Sequence, residues 1–165
     1  MRGDGDGWVL SASGIRYWGR YGAAGLLLCA PTPERTRAVL LQRRVIWSHH
    51  GGTWGLPGGA RDSNETAEQA AIREACEETG VTSAQVTVRT SVVTAAPSGT
   101  RWTYTTVIAD CDDLLPTVAC AESAELRWVN VTDVADLPLH PGFAASWQRL
   151  RLLTFAANRP IPVAN

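Results

Sequence analysis

Two apolar runs, "YGAAGLLLCA" (residues 21–30) and "RAVLLQRRV" (residues 37–45), have the aliphatic density of β-strands. Between them "PTPERT" carries Pro31 and Pro33, which end any continuing element, so the pair predicts a hairpin. Further on, "QVTVRTSVVTA" and "TRWTYTTVIADC" alternate apolar and polar residues about a "PSG" turn, predicting a second hairpin, and "AELRWVNV" reads as one more short strand. Helical periodicity appears twice. Thr66 with Gln69 forms a capping box ahead of Ala67, Ala70, Ala71, Ile72 and Ala75, which make a small-residue face, and Gly80 suits the stop, predicting a helix over 67–79. "FAASWQRLRLLTFAA" (residues 143–157) gathers Trp147, Leu150 and Leu153 on an apolar side, and "VTDVADLPLHPGF" before it reads as a helical turn and loop. The intervening "IWSHHGGTWGLPGGARDSNE" is a loop by its glycine content, and residues 1–20 read as a loose arm or an edge strand. Strands interleaved with two sizeable helices predict a mixed α/β sandwich, with residues 21–165 as one domain.

Composition narrows the functional classes. A chain of 165 residues with 45% hydrophobic and 19% charged residues and a formal charge of -1 supports one core and offers no basic excess for duplex nucleic acid. The longest apolar run, "AAGLLLCA", is too short to span a bilayer, and the start lacks a signal-peptide signature, so no membrane partner and a cytoplasmic location are expected. Cys29, Cys76, Cys111 and Cys120 lack metal-site spacing and read as reduced, buried thiols. No long self-complementary helix stands out, so the sequence does not set the oligomeric state; a homodimer to which the N-terminal arm contributes is compatible with its composition but not required by it.

The unusual chemistry lies in "REACEETG", where Glu74, Glu77 and Glu78 occupy positions that a helix turns to one face, Glu77 at about 300° and Glu78 at about 40° from Glu74. Like charges at these spacings repel. A solvated acidic stripe would tolerate the repulsion in water. A bound hard divalent cation would cancel it, because oxygen ligands on one face can hold Mg²⁺ while leaving places for water and substrate phosphates.

The flanking residues favour the cation. Gly59, five residues, Glu65, seven residues, then Arg73-Glu74-Ala75-Cys76-Glu77-Glu78-Thr79-Gly80-Val81 matches every fixed position of the Nudix box, a pattern of 23 residues, with Ala75 small for its aliphatic slot. The chain thus resembles the Nudix hydrolases. The resemblance implies an α/β/α sandwich with a mixed sheet between helices, and attack by water on a phosphorus anhydride while Mg²⁺ or Mn²⁺ neutralises the pyrophosphate oxygens. It implies Glu74, Glu77, Glu78 and the carbonyl of Gly59 as metal ligands, with Glu77 the favoured general base. The resemblance also implies Glu77, Glu78 and Arg73 as the catalytic residues, Arg73 in a structural role through a salt bridge to Glu65 that holds loop to helix. Glu122 in "CAESAELRWV" is the later acid placed to add a ligand, with Glu125 and Asp133 behind it.

Outside the box the chain is similar to MutT-type 8-oxo-dGTP diphosphatases. Those carry an arginine, a histidine five residues on, and the loop proline eight after that, the spacing of Arg44, His49 and Pro57. Leu56 stands where that branch has an aromatic residue, and His140 is nearest the position of its purine-reading asparagine. Arg44, His49, Leu56 and His140 are therefore the expected substrate contacts. Trp47, Trp54 and Trp102 are candidate replacements for base stacking, weighed against ordinary places in the core. The resemblance implies a nucleoside triphosphate cleaved to monophosphate and pyrophosphate, oxidised nucleotides such as 8-oxo-dGTP foremost. ADP-ribose or another nucleoside diphosphate derivative is the alternative substrate, and a non-catalytic nucleotide sensor the distant one, disfavoured by the complete box.

Overall fold

The computed structural model describes residues 3–155. The strand β3 (Ala23–Pro31) is buried along nearly its whole length, and its alternation serves two cores. Ala24, Leu26, Leu28 and Ala30 face the helix α1 (Ala67–Thr79), whose Ala70, Ala71 and Ala75 are buried against them. Leu27 and Cys29 face the other way, toward Phe143, Trp147 and Leu150 of the helix α2 (Pro141–Phe155). A sheet with a helix on each face is the expected α/β/α sandwich. No described helix is long and apolar enough to cross a membrane.

The sheet is mixed. β3 runs parallel to β8 (Tyr104–Asp110), which pairs antiparallel with β7 (Thr87–Ala95) as the second predicted hairpin. The first hairpin forms as well, but β3 and β4 (Arg37–Arg44) pair only from Cys29↔Val39 toward the turn. Beyond that point they splay. Two short strands fill the gap, β5 (Trp54–Gly55) against β4 and β6 (Gly58–Ala60) against β3. The stretch expected to be pure loop therefore contributes to the sheet, because unpaired backbone groups of the splayed strands need partners. β9 (Ser123–Asn130) takes the far side of β4.

Among the described residues of the arm, 3–20, no strand adds an edge to this sheet. β1 (Trp8–Leu10) and β2 (Arg16–Trp18) pair with each other as a separate two-stranded sheet. Trp102 ties it down, stacking on Tyr17 at 4.7 Å and donating its indole N–H to the Trp18 carbonyl. α2 starts two residues before its expected first residue, and the expected residues 156 and 157 lie outside the described ones. Cys29 and Cys111 are buried, whereas Cys76 and Cys120 are only partly covered.

Candidate active site

The end of α1 builds the acidic centre. Thr66 and Gln69 exchange both capping-box hydrogen bonds, fixing where the helix starts, and Gly80 closes it at φ 75, a left-handed conformation that favours glycine. Because the packing face is alanine, the helix backbone lies close to β3 and β6, and the acids beside that face are drawn in with it. Glu78 is 7% exposed, and its Oε2 accepts the N–H of Gly58 at 2.8 Å. Burial pushes its carboxyl up to about 8 despite that hydrogen bond, with the negative charges of Glu74 and Glu122 adding to the rise. Burial also raises Glu74, against the pull of Arg73. Gly59 lies against the Glu74 carboxylate so closely that a Cβ there would stand 2.6 Å from its carbon. Only glycine fits.

Arg73 fastens loop to helix. Its Nε and a terminal nitrogen donate to both oxygens of Glu65 at 2.6 and 3.2 Å, and it also reaches the Ala60 carbonyl at 3.1 Å. Its remaining nitrogen donates to Glu74 at 2.7 Å and lies 3.8 Å from exposed Glu77. Such a fork is strong because both ions share two aligned bonds. Glu122 is exposed, yet its charge is felt by Glu74 and Glu78. The other two late acids are elsewhere: Glu125 pairs with Arg43 and Arg127, and Asp133 caps a surface turn where Thr132 donates to it.

Among the described residues no three acidic, histidine or cysteine side chains stand close enough to enclose an ion. Glu74 is held by Arg73 and Glu78 by Gly58 N–H, so their oxygens point to protein partners. The donor chemistry nevertheless suits a hard cation, since it is all oxygen and it places desolvated like charges beside one another, which a divalent ion would stabilise.

The substrate candidates gather at the other end of β4. Arg44 donates from Nε to the His49 carbonyl at 2.9 Å. The His49 and His50 rings meet at 3.9 Å, and His50 meets His140 at 4.8 Å, all edge to face. His140 arrives because β5 is bridged to its segment, Trp54 N–H donating to Pro138 and His140 N–H to Trp54. Burial, with His50 and Arg44 nearby, lowers His140 to about 4, so the ring is neutral. Its Nδ1 accepts from Gly142 N–H at 3.1 Å, which places the proton on Nε2. The acceptor is therefore already used, and the donor remains for a ligand. Leu56 is partly buried against the α2-side core, on which Leu139, the residue before His140, also packs.

Of the three tryptophans, Trp54 is core at 4% exposure, Trp102 serves the N-terminal sheet, and Trp47 is 82% exposed. Sequence reasoning missed His50, which no pattern marked. It also missed Gln42 and Ser123, a buried pair 81 residues apart in which the serine hydroxyl donates to the amide oxygen at 3.0 Å. The Gln42 side chain in turn helps to hold the charge of Glu78.

The family model of the NUDIX domain matches residues 21–150. A Mycobacterium tuberculosis protein named "Putative 8-oxo-dGTP diphosphatase 3" is 68% identical over 154 residues, covering 92% of this chain and 71% of that protein. The crystal structure of a Nudix hydrolase from M. smegmatis, RenU, matches with TM-score 0.87 at 63% identity over 98% of this chain and 99% of that one. A C. elegans Ap4A hydrolase, at 20% identity and TM-score 0.65 over 81% of this chain and 96% of that one, is similar in fold alone. Nudix hydrolases generally use divalent metal ions. By the span of the family match and the identity of these relatives, the chain belongs to the Nudix family and is a Nudix hydrolase.

Proposed function

We propose that this Nudix hydrolase is a Mg²⁺- or Mn²⁺-dependent pyrophosphohydrolase that cleaves a nucleoside triphosphate to its monophosphate and pyrophosphate, with 8-oxo-dGTP as its preferred class of substrate. The observation that carries the reading is the acidic face of α1, where a buried Glu78 and half-buried Glu74 lie against the glycine strand β6. Support for the substrate comes from the M. tuberculosis relative and from Arg44, His49 and His140 meeting at one place.

Glu74, Glu77, Glu78 and the Gly59 carbonyl would hold the cation, with Glu122 as a further ligand. The cation supplies charge neutralisation on the pyrophosphate oxygens. Glu77, exposed on the same face, accepts the proton of the attacking water. Arg73 keeps the β6 loop and helix in register, so a shift of one cannot open the site. Arg44 attracts the anionic substrate, and the Nε2–H of neutral His140 offers a donor to an oxidised purine edge.

Comparison of kcat/KM for 8-oxo-dGTP, dGTP, dCTP, ADP-ribose and dinucleoside polyphosphates tests this directly. The expected order puts 8-oxo-dGTP first by at least tenfold. A preference for ADP-ribose would reject the substrate assignment while sparing the metal site.

A further inference from the structure

Trp47 has no structural task in this fold. It stands 82% exposed beside Ile46, itself 82% exposed, although burying either would be favourable. The loop that carries them is not slack. Ser48 closes a turn with both its N–H and hydroxyl on the Val45 carbonyl, and at the loop base Arg44 N–H donates to Thr53 while Gly52 N–H donates back to Arg44. His50 adopts φ 56, an uncommon conformation for a residue other than glycine, and it bends the chain back. A shaped loop thus presents an indole to solvent.

Beneath that indole lies a cavity of about 240 Å³ walled by Gln42, Arg44, Trp47, Ser48 and Glu122. It adjoins a wider hollow of about 580 Å³ that shares Arg44, Val45 and Trp47 and extends over Cys120 and Ser123. Two of the walls connect it to the reaction centre, because Gln42 and Glu122 both act on Glu78. Among the described residues Arg44 makes no salt bridge, and it lines this space together with Glu122. An open aromatic face, a guanidinium without an ion-pair partner and continuity with an acidic metal-type centre suit a ligand that is anionic at one end and planar at the other.

We propose that Trp47 is a substrate-binding residue, on whose indole the substrate's base stacks while the phosphates extend past Glu122 to the box glutamates. The inference rests on the nucleotide reading above, but it concerns the base whichever nucleotide is preferred. It assigns this cavity to the nucleobase and leaves the histidine cluster to contact the base edge. Stacking on an aromatic side chain tolerates any base, so Trp47 contributes affinity for bases in general and the hydrogen-bonding groups choose among them.

The test removes the base from the ligand and the indole from the protein in turn. Dissociation constants are measured calorimetrically for α,β-methylene-dGTP and its base-free counterpart, α,β-methylene-2-deoxyribose 5-triphosphate, on the wild type, Trp47→Phe and Trp47→Ala. The wild type is expected to bind the nucleotide at least tenfold more tightly than the base-free compound. Trp47→Ala should shrink that ratio to threefold or less, and Trp47→Phe should restore most of it. Thermal melts should coincide, since the side chain is exposed. If the wild type binds nucleotide tightly and Trp47→Ala keeps the full ratio, stacking on Trp47 is wrong and the nucleotide reading stands. If the wild type prefers neither ligand, both are overturned.

Discussion

Replacing Glu78 by glutamine separates the requirements of folding from those of chemistry. In the folded protein burial raises this carboxyl from 4.5 to about 8, so the folded state holds the proton more tightly than the unfolded chain does. The sign follows from linkage: a folded-state value above the unfolded one means that stability falls as pH rises from about 4.5 to about 8 and levels off beyond. At pH 7, about 2.5 pH units above the ordinary value and still below the raised one, the cost is about 3 kcal/mol at roughly 1.4 kcal/mol per tenfold. Glutamine cannot ionise, and its amide oxygen can still accept from Gly58 N–H. In EDTA at pH 7, Glu78→Gln should melt about 6–12 °C higher than the wild type at this chain length. Below pH 5 the two should converge. The same variant should lose activity with Mg²⁺ by about a hundredfold or more, since it no longer supplies a charged ligand. Thermal melting from pH 4.5 to 8.5 with chelator reads the stability, and initial rates read the chemistry. If wild-type stability is flat over that range, or Glu78→Gln melts lower at every pH, the buried-charge account of this centre is wrong.

Other consequences follow from single contacts. Arg73→Lys keeps the charge but loses the two-pronged hold on Glu65 and the bond to Ala60, and it should cost about 1–2 kcal/mol in urea unfolding, with kcat falling more than KM rises. Asp110 lies between Arg37 and Arg89, and Arg89 also donates to the Leu153 carbonyl of α2, so Asp110→Ala leaves two partly covered cations unpaired and should destabilise by about 2 kcal/mol without changing substrate preference. His140 is lowered from 6.5 to about 4, so folding is disfavoured as pH falls below about 6.5 because the unfolded chain takes the proton first. His140→Asn should remove that loss, so that its melting temperature gains on the wild type as pH falls from 6.5 to 4, and it should alter the substrate order.

What the sequence revealed was local. The capping box, the alanine face and Gly80 are contiguous, and the helix they predict, 67–79, is the helix observed. The box itself spans Gly59 to Val81, so its spacing could be read without knowing the fold. Features that depend on distant strands were not legible. β5 and β6 are two and three residues long and exist because β3 and β4 splay, which no local periodicity encodes. The hairpin of β1 and β2 was hidden by its glycines and by aromatic residues that stay exposed, Trp8 at 53% and Trp18 at 42%. Gln42 reads as one polar residue in an apolar strand until Ser123 is found opposite it. Trp47, Trp54 and Trp102 have the same chemistry, and only packing tells a core ring from a presented one.

The central claim is a metal-dependent attack that releases pyrophosphate. Incubating the protein with 8-oxo-dGTP and Mg²⁺, with and without EDTA, and separating the products by anion exchange tests it most directly. The account predicts 8-oxo-dGMP and pyrophosphate in equal amounts, abolished by EDTA and restored by excess Mg²⁺. Release of orthophosphate with the diphosphate, or turnover that persists in EDTA, would contradict it.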